Sequence, residues 1–540
     1  MKKIIECVPN FSEGQNKEII DAISESIRNV NGVTLLDVDP GFSTNRTVYT
    51  FVGDPDSVIE GALAAAKTAR KLIDMRHHKG EHPRMGAMDV CPFIPVANVT
   101  MDECVEVSKK FAERAAQEIG IPLYLYEYAS NNPARKSLPQ IRQGEYEGLA
   151  KKIIQPEWKP DFGPAEFVPE WGATVTGARD FLIAFNINIL GTSNQAHRIA
   201  LNLREAGRGE GEPGRLKEVK GIGWYVEEYG MAQISMNLTN YKVTPMHIAF
   251  EEAKKDAQEL KVGVAGTELV GLVPLEAIMM AADYYIEKEN LFILEEAQKI
   301  KLVIDRLGLN SISKFEPIKR IIDYMIAEEA NEPLASLTLR GFIEEVASRS
   351  SAPGGGSVSA AVAAMGTGLG CMVAQLTYGV RKFEHLDKEM REIIPHLHNI
   401  TKQLIPMVDA DTNAFNDYME AIKMPKNTDE EKALRSAAMQ EGLKKAIYVP
   451  LNTMKIADSA WDWMERIAKT GNIASKSDVE VGVKSLETGI WGAYKNVMIN
   501  MGGIKDADFK YEITNIAEAI KNKAETRKNQ ILDILAHRDK

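Results

Sequence analysis

The sequence predicts a multidomain chain: an N-terminal α/β region of two related βαββαβ-like subdomains, followed by an all-α helical bundle domain. Three observations predict it. Strand-like runs alternate with amphipathic segments up to about residue 330 and then disappear. The order strand, helix, strand, strand, helix, strand occurs early in the chain and again after residue 180. The 540 residues suggest about three or four domains, and 44% hydrophobic with 26% charged residues is the balance of a globular protein with several cores.

In order, "KKIIECV" reads as a strand. "NKEIIDAISESIRNV" has helical spacing through Ile19, Ile20, Ile23 and Ile27. "VTLLDVD" and "RTVYTFVG" read as strands, and a helix rich in Ala and Leu runs from about Asp56 to Met75. "CPFIPVANV" and "PLYLYEYA" add strands, with a helix near 102–118 between them. A Pro-, Gly- and Trp-rich stretch, "EWKPDFGPAEFVPEWGATVTGARD", reads as a loop between subdomains, a good place for a flat ligand. The second set is "DFLIAFNINIL", the helix "NQAHRIALNLREA", "KGIGWYVE", "MAQISMNL", the helix "PMHIAFEEAKKDAQEL" and "VGVAGTELVGLVP". These readings give subdomains at 1–179 and 180–326, a polar linker at 327–335 around "EEANEPLASLT", and a helical domain at 336–540.

The net charge of −11 argues against a general nucleic-acid binder. Cys7, Cys91, Cys104 and Cys371 lie far apart without a C-x-x-C, which points to reduced thiols and a cytoplasmic location. "MKKIIECVPN" has no apolar run of signal-peptide length. Ser351 to Val380 is uncharged and long enough to span a bilayer, but it is dominated by Gly, Ala and Ser. A helix packed closely inside a bundle is the expectation, without membrane insertion.

The densest chemical signal is "HHKGEHPRMGAMDV", residues 77–90. His78 to His82 spells H-x-x-E-H, an inverted zinc-protease pattern. Gly80 in its middle and Pro83 after it work against the helix that would place both histidines on one face. The expectation is therefore a site without metal. His82, in a turn before a strand, is the histidine a rigid loop could aim at a ligand, and imidazole can take and return a proton near neutral pH.

"HKGEHPRMGAMDVCPFIPV", "GARDFLIAFNINILGTSNQAHRIALNLREAGRG", "KENLFILEE", "SAPGGGSVSAAVAAMG", "MVDADTNAF" and "MPKNTDEEKALRSAAMQEGL" resemble the formiminotransferase-cyclodeaminase family across essentially the whole chain. The resemblance implies a bifunctional folate enzyme of histidine degradation. It would move the formimino group from N-formimino-L-glutamate to tetrahydrofolate, the co-substrate, with polyglutamylation left open. It would then cyclise 5-formiminotetrahydrofolate to 5,10-methenyltetrahydrofolate with release of ammonia. It also implies a homo-oligomer, octameric in the family.

The resemblance puts the transferase acid/base role on His82 and the cyclodeaminase acid/base role on Asp411. Asp39 is a candidate support for the imidazole or the amidine, or simply a turn residue before Pro40. Arg84 would bind a substrate carboxylate, or pair with a surface acid. Gly163, Pro164, Ala165, Glu166, Phe167, Val168, Pro169, Glu170, Trp171 and Gly172 correspond to the family's folate loop. Phe167 and Trp171 could flank a pterin, or pack between subdomains. Gly354, Gly355, Gly356 and Ser357 form a Gly-rich turn before a helix, suited to an anion such as a folate carboxylate, or a helix cap at Ser357 with close packing. Ser475 and Asp478 are weaker candidates for the same pocket. Asp409 and Asp411, two residues apart on a helix, do not share a face. Two alternatives stand beside this reading: a helical half that serves only as an oligomerisation scaffold, and a zinc peptidase at H-x-x-E-H.

Overall fold

Residues 4–11 form an inner strand in two pieces, β1 (Ile4–Cys7) and β2 (Asn10–Phe11), in the computed structural model of the chain. The structure describes residues 3–538 except Ser43, Glu81, Glu210 and residues 327–331. Two units divide the chain, Met1–Ala327 and Glu328–Lys540.

In the first unit α1 (Lys17–Arg28), β3 (Val33–Gly41), β4 (Arg46–Gly53), α2 (Pro55–Leu72), β5 (Met88–Ala97), α3 (Met101–Ile119) and β6 (Leu123–Glu127) follow β2. Local chemistry sets their ends. Asp54 caps α2 by accepting from the Asp56 and Ser57 N–H groups, with Pro55 in the first turn. Thr100 and Glu103 make a capping box on α3, which stops at Gly120 in the left-handed region (φ 74°). Two short helices, α4 (Leu138–Arg142) and α5 (Glu145–Lys152), precede β7 (Thr174–Ala178). The strands β3, β4, β1 and β5 are antiparallel neighbours, and β7 and β6 extend the sheet in parallel from β5. The stretch read as a loop from 157 to 180 therefore contains a strand, β7, buried along its whole length.

The second sheet comes from β8 (Ile183–Leu190), α6 (Ser193–Leu203), β9 (Val219–Val226), β10 (Met231–Leu238), α7 (Met246–Glu259) and β11 (Gly263–Val270), in the order β11-β8-β10-β9. Counting the interrupted first strand as one, both sheets run fourth-first-third-second, so the two subdomains share one topology. Along β8, Ile183, Phe185, Ile187 and Ile189 enter the core with Ile199 of α6 and Phe250 of α7. The alternation of a strand leaves Asn186 and Asn188 on the opposite face, and the register adds Gln233 and Glu268 to it. That polar face turns toward the first sheet. Val52 packs with Leu272 and Ile322, and Arg320 lies 3.6 Å from Asp37. The unit ends with α8 (Leu275–Lys288), α9 (Glu296–Leu307), α10 (Pro317–Arg320) and α11 (Ile322–Ile326).

The second unit is helical: α12 (Leu339–Val346), α13 (Gly355–Thr377), α14 (Asp387–Leu404), α15 (Met407–Lys423), α16 (Asp429–Asp458), α17 (Trp461–Thr470), α18 (Lys476–Asn500) and α19 (Ala507–His537). The uncharged stretch forms α13, mostly buried within its unit. Its small residues let it lie against α18. A methyl group on Gly366 would come within 2.7 Å of the Gly482 carbonyl, and one on Gly489 within 2.6 Å of Ala363 Cβ. Of the expected linker, residues 327–331 lie outside the described residues. The Leu334 and Ala335 N–H groups donate to Asp409 at 2.8 and 2.9 Å.

Candidate functional sites

None of the described residues of the 77–90 segment is helical, and from Met88 it belongs to β5. A methyl group on Gly80 would meet the Thr44 carbonyl at 2.3 Å. Both ring nitrogens of His78 are engaged, Nε2 with the Asn45 carbonyl at 2.9 Å and Nδ1 with Arg84 Nε at 3.2 Å. The one tautomer that serves both has Nε2–H donating and Nδ1 accepting. In that arrangement His78 has no lone pair left for a zinc ion; Glu81, the acid of the H-x-x-E-H spacing, lies outside the described residues.

His82 is half-buried, with Nδ1 2.7 Å from the Pro83 carbonyl. Nδ1–H must donate there, which leaves the lone pair on Nε2. Burial first, then the Arg46 and Arg142 guanidiniums, push its pKa down to about 4. Both arginines bond Asp89, which is fully buried; Arg46 Nη1 reaches it at 2.6 Å. Arg46 also donates twice to Asn10 Oδ1 (2.8 and 3.1 Å). Burial, the largest influence on Asp89, raises its pKa, but Arg142 and Arg46 outweigh it and hold the carboxyl at about 2.

Asp39 pairs with Val48 and Gly41 with Arg46 across β3 and β4. Asp39 thus lies on the Arg46 face of the sheet, two residues along. Its charged neighbours are Asp37, Arg320 and Glu268, and burial first, then Asp37, raises its pKa. Glu268 accepts from Tyr229 OH (3.0 Å), Asn186 (3.2 Å) and Gln233 (3.2 Å). The surroundings of His82 are thus cationic through Arg46 and Arg142, and those of Asp39 are mainly anionic through Asp37 and Glu268.

Two expectations for the first unit need correction. Arg84 is not free for a substrate carboxylate. Its guanidinium faces Glu147 through both terminal nitrogens (2.7 and 2.8 Å) and Glu145 at 3.4 Å. Trp171 cannot flank a pterin. It is fully buried and its indole N–H donates to Thr174 at 3.0 Å. The loop from 163 to 172 backs the histidine segment instead. Ala87 N–H donates to the Trp171 carbonyl at 2.7 Å, and Gly172 (φ 80°) sits where a methyl group would meet the Met85 carbonyl at 2.0 Å. Phe167 stays half-buried, tilted on Tyr146 at 5.4 Å.

In the helical unit Asp411 lies over the start of α13. A methyl group on Gly356 would come within 2.1 Å of its Oδ1. The carboxyl is half-buried; burial raises its pKa, opposed by a hydrogen bond from the Ser357 N–H. Gly354 has open space around it, and Asn496 Nδ2 would stand 3.3 Å from a methyl group on Gly355. Ser357 is neither cap nor ligand. It is fully buried, donates to the Val408 carbonyl at 2.7 Å and meets Thr412 at 3.1 Å; Gly354 is the helix cap. Ser475 and Asp478 are at the wrong end. Asn472 N–H bonds Thr377 at the far end of α13, roughly 30 Å away along its 23 residues.

Arg46, Asp89 and Arg142 are not among the candidates drawn from the sequence. The available signal was Asp89 itself, an acid inside the apolar strand run "MDVCPFIPV".

Comparison with known proteins gives three family models along the chain: "Formiminotransferase domain, N-terminal subdomain" over 4–179, "Formiminotransferase domain" over 184–327 and "Formiminotransferase-cyclodeaminase" over 338–519. The formimidoyltransferase-cyclodeaminase of Dictyostelium discoideum is 61% identical over 540 residues, covering 100% of both chains. That of Rattus norvegicus is 55% identical over 539 residues, again 100% of both. The glutamate formimidoyltransferase of Streptococcus pyogenes serotype M1 is 44% identical over 292 residues, which are 54% of this chain and 95% of that one.

Proposed function

The chain belongs to the formimidoyltransferase-cyclodeaminase family, and we propose that its first unit performs transfer at His82 and its second unit cyclisation at Asp411. It is a bifunctional folate-dependent transferase and lyase of histidine catabolism. The formimino group of N-formimino-L-glutamate passes to tetrahydrofolate, and 5-formiminotetrahydrofolate then closes to 5,10-methenyltetrahydrofolate with loss of ammonia. A helical half acting only as scaffold is set aside, because the relatives match it at full length and a family model covers 338–519.

The observation that carries the transferase assignment is a neutral imidazole whose Nε2 holds the lone pair, with a pKa of about 4. N5 of tetrahydrofolate attacks the formimino carbon, and its proton passes to Nε2. The adduct collapses as the carbon–nitrogen bond to glutamate breaks, and Nε2 returns the proton to the departing amine. Asp39, beside Asp37 and Glu268, supplies negative charge for the cationic amidine. The 163–172 loop remains the folate-loop candidate, with Phe167 as its accessible aromatic ring.

In the second unit N10 attacks the formimino carbon already on N5. Asp411 accepts the N10 proton and delivers one to the nitrogen that leaves as ammonia. A carboxyl raised by burial suits a group that must hold a proton between these steps. Gly354 and Gly355 leave the start of α13 open for a folate carboxylate.

We assign the subdomains to 1–179 and 180–326, with the helical domain from 336. Exposed apolar side chains on and near α12 and α13, among them Leu339, Ile343 and Met365, support self-association, for which the family's octamer is the working assembly. The four cysteines, all buried thiols, support a cytoplasmic location. The test is anaerobic incubation of the full chain with N-formimino-L-glutamate and tetrahydrofolate. Methenyl absorbance and ammonia should rise together; neither rising overturns the proposal.

A further inference from the structure

We propose that Arg46 and Arg142, joined through Asp89, form the receptor for a carboxylate of the formimino donor; this deepens the transferase reading above and rests on it. The three side chains do not balance in charge. Two guanidiniums bond the same oxygen, Asp89 Oδ2. The Arg46, Arg142 and Asp89 side chains are only 10%, 14% and 0% exposed. Among the described residues Asp89 is the one carboxylate recorded against either arginine, and its other oxygen is taken by the Met85 N–H at 2.8 Å. The trio therefore carries one positive charge in excess, away from bulk water. A buried cation without a counter-charge is strongly disfavoured.

Donor capacity is also left over. Arg142 Nε is buried without a hydrogen-bond partner. A guanidinium fork matches a carboxylate in two parallel bonds. Arg46 comes from the start of β4 and Arg142 from the end of α4, so the fold brings them together from different elements. His82 feels both charges, which puts the receptor beside the base. N-formimino-L-glutamate is a dicarboxylate, and anchoring one of its carboxylates here would hold its formimino nitrogen near His82 and select donors by their acid side chain.

The test uses purified full-length Arg142→Met, in which Asp89 keeps Arg46 as partner. The KM for N-formimino-L-glutamate should rise roughly 10- to 100-fold, the scale of a lost charge-assisted pair. The KM for tetrahydrofolate and the cyclisation of supplied 5-formiminotetrahydrofolate should stay at wild-type values. Glutarate, a dicarboxylate without the amine, should compete with the donor in the wild type and lose that effect in the variant, and Arg142→Lys should recover part of it. An unchanged donor KM with glutarate competition intact overturns the inference. So does an equal rise in both KM values with a lowered melting temperature, since that marks a structural role. A wild-type chain that transfers nothing overturns the transferase reading instead.

Discussion

At about pH 5.5 an imidazole with the ordinary pKa of about 6.5 is only about 9% neutral, whereas one at about 4 is about 97% neutral. His82 belongs to the second case, because burial and two nearby guanidiniums disfavour its cation. The sign follows directly. A depressed pKa moves the acid limb of a base-dependent rate to lower pH, so kcat/KM for transfer should hold near its neutral value at about pH 5.5 and fall only toward about pH 4. The expected advantage over an unperturbed histidine is about tenfold at that pH. The direct assay is a carbon-13 histidine NMR titration of the free protein, with His82→Asn to assign the resonance. Arg142→Met removes one of the two cations and should shift the His82 midpoint upward. Substrate carboxylate bound to the arginines should act in the same direction, so kcat should show its acid limb at higher pH than kcat/KM. A His82 midpoint near 6.5, unmoved by the Arg142 change, would mean that neither burial nor the guanidiniums depress it.

The helical unit gives further tests. Asp411→Asn should spare transfer and halt ammonia release, so that 5-formiminotetrahydrofolate accumulates in a chromatographic time course; Asn keeps the shape but exchanges no proton. Gly356→Ala should also impair cyclisation without touching transfer, since its methyl group would stand 2.1 Å from the Asp411 carboxylate. Asp409→Asn should lower stability by about 1–3 kcal/mol, read from urea unfolding of the helical unit, because Asp409 holds two buried or half-buried N–H groups. Its folded fraction should keep cyclising at the wild-type rate, and a loss of turnover at full folding would mark Asp409 as the working carboxylate.

Periodicity made most of the fold legible. The spacing of Ile20, Ile23 and Ile27 found α1, and the run "DFLIAFNINIL" reads as the strand that is β8. The strand β7 escaped because "TVTGA" is buried on both faces between parallel neighbours, so nothing alternates. Small residues in α13 announced close helix packing, and Gly366 and Gly489 provide it. His82 stood out through its local turn. The arginines around it did not, since Arg46 and Arg142 lie 43 and 53 residues from Asp89 and meet it only through the fold. For Trp171 and Ser357 the sequence leaves ligand contact and packing open, because a loop aromatic or a helix-start serine looks accessible until tertiary packing buries it.

If two separate sites carry the two reactions, reciprocal complementation should separate and then restore them. His82→Ala and Asp411→Asn proteins would each be assayed for transfer and for cyclisation of supplied 5-formiminotetrahydrofolate, and then mixed with both starting substrates. His82→Ala should lose transfer by roughly 100-fold or more and retain cyclisation, Asp411→Asn should do the reverse, and the mixture should make methenyltetrahydrofolate and ammonia again. Loss of both activities in either folded single variant would contradict separate sites.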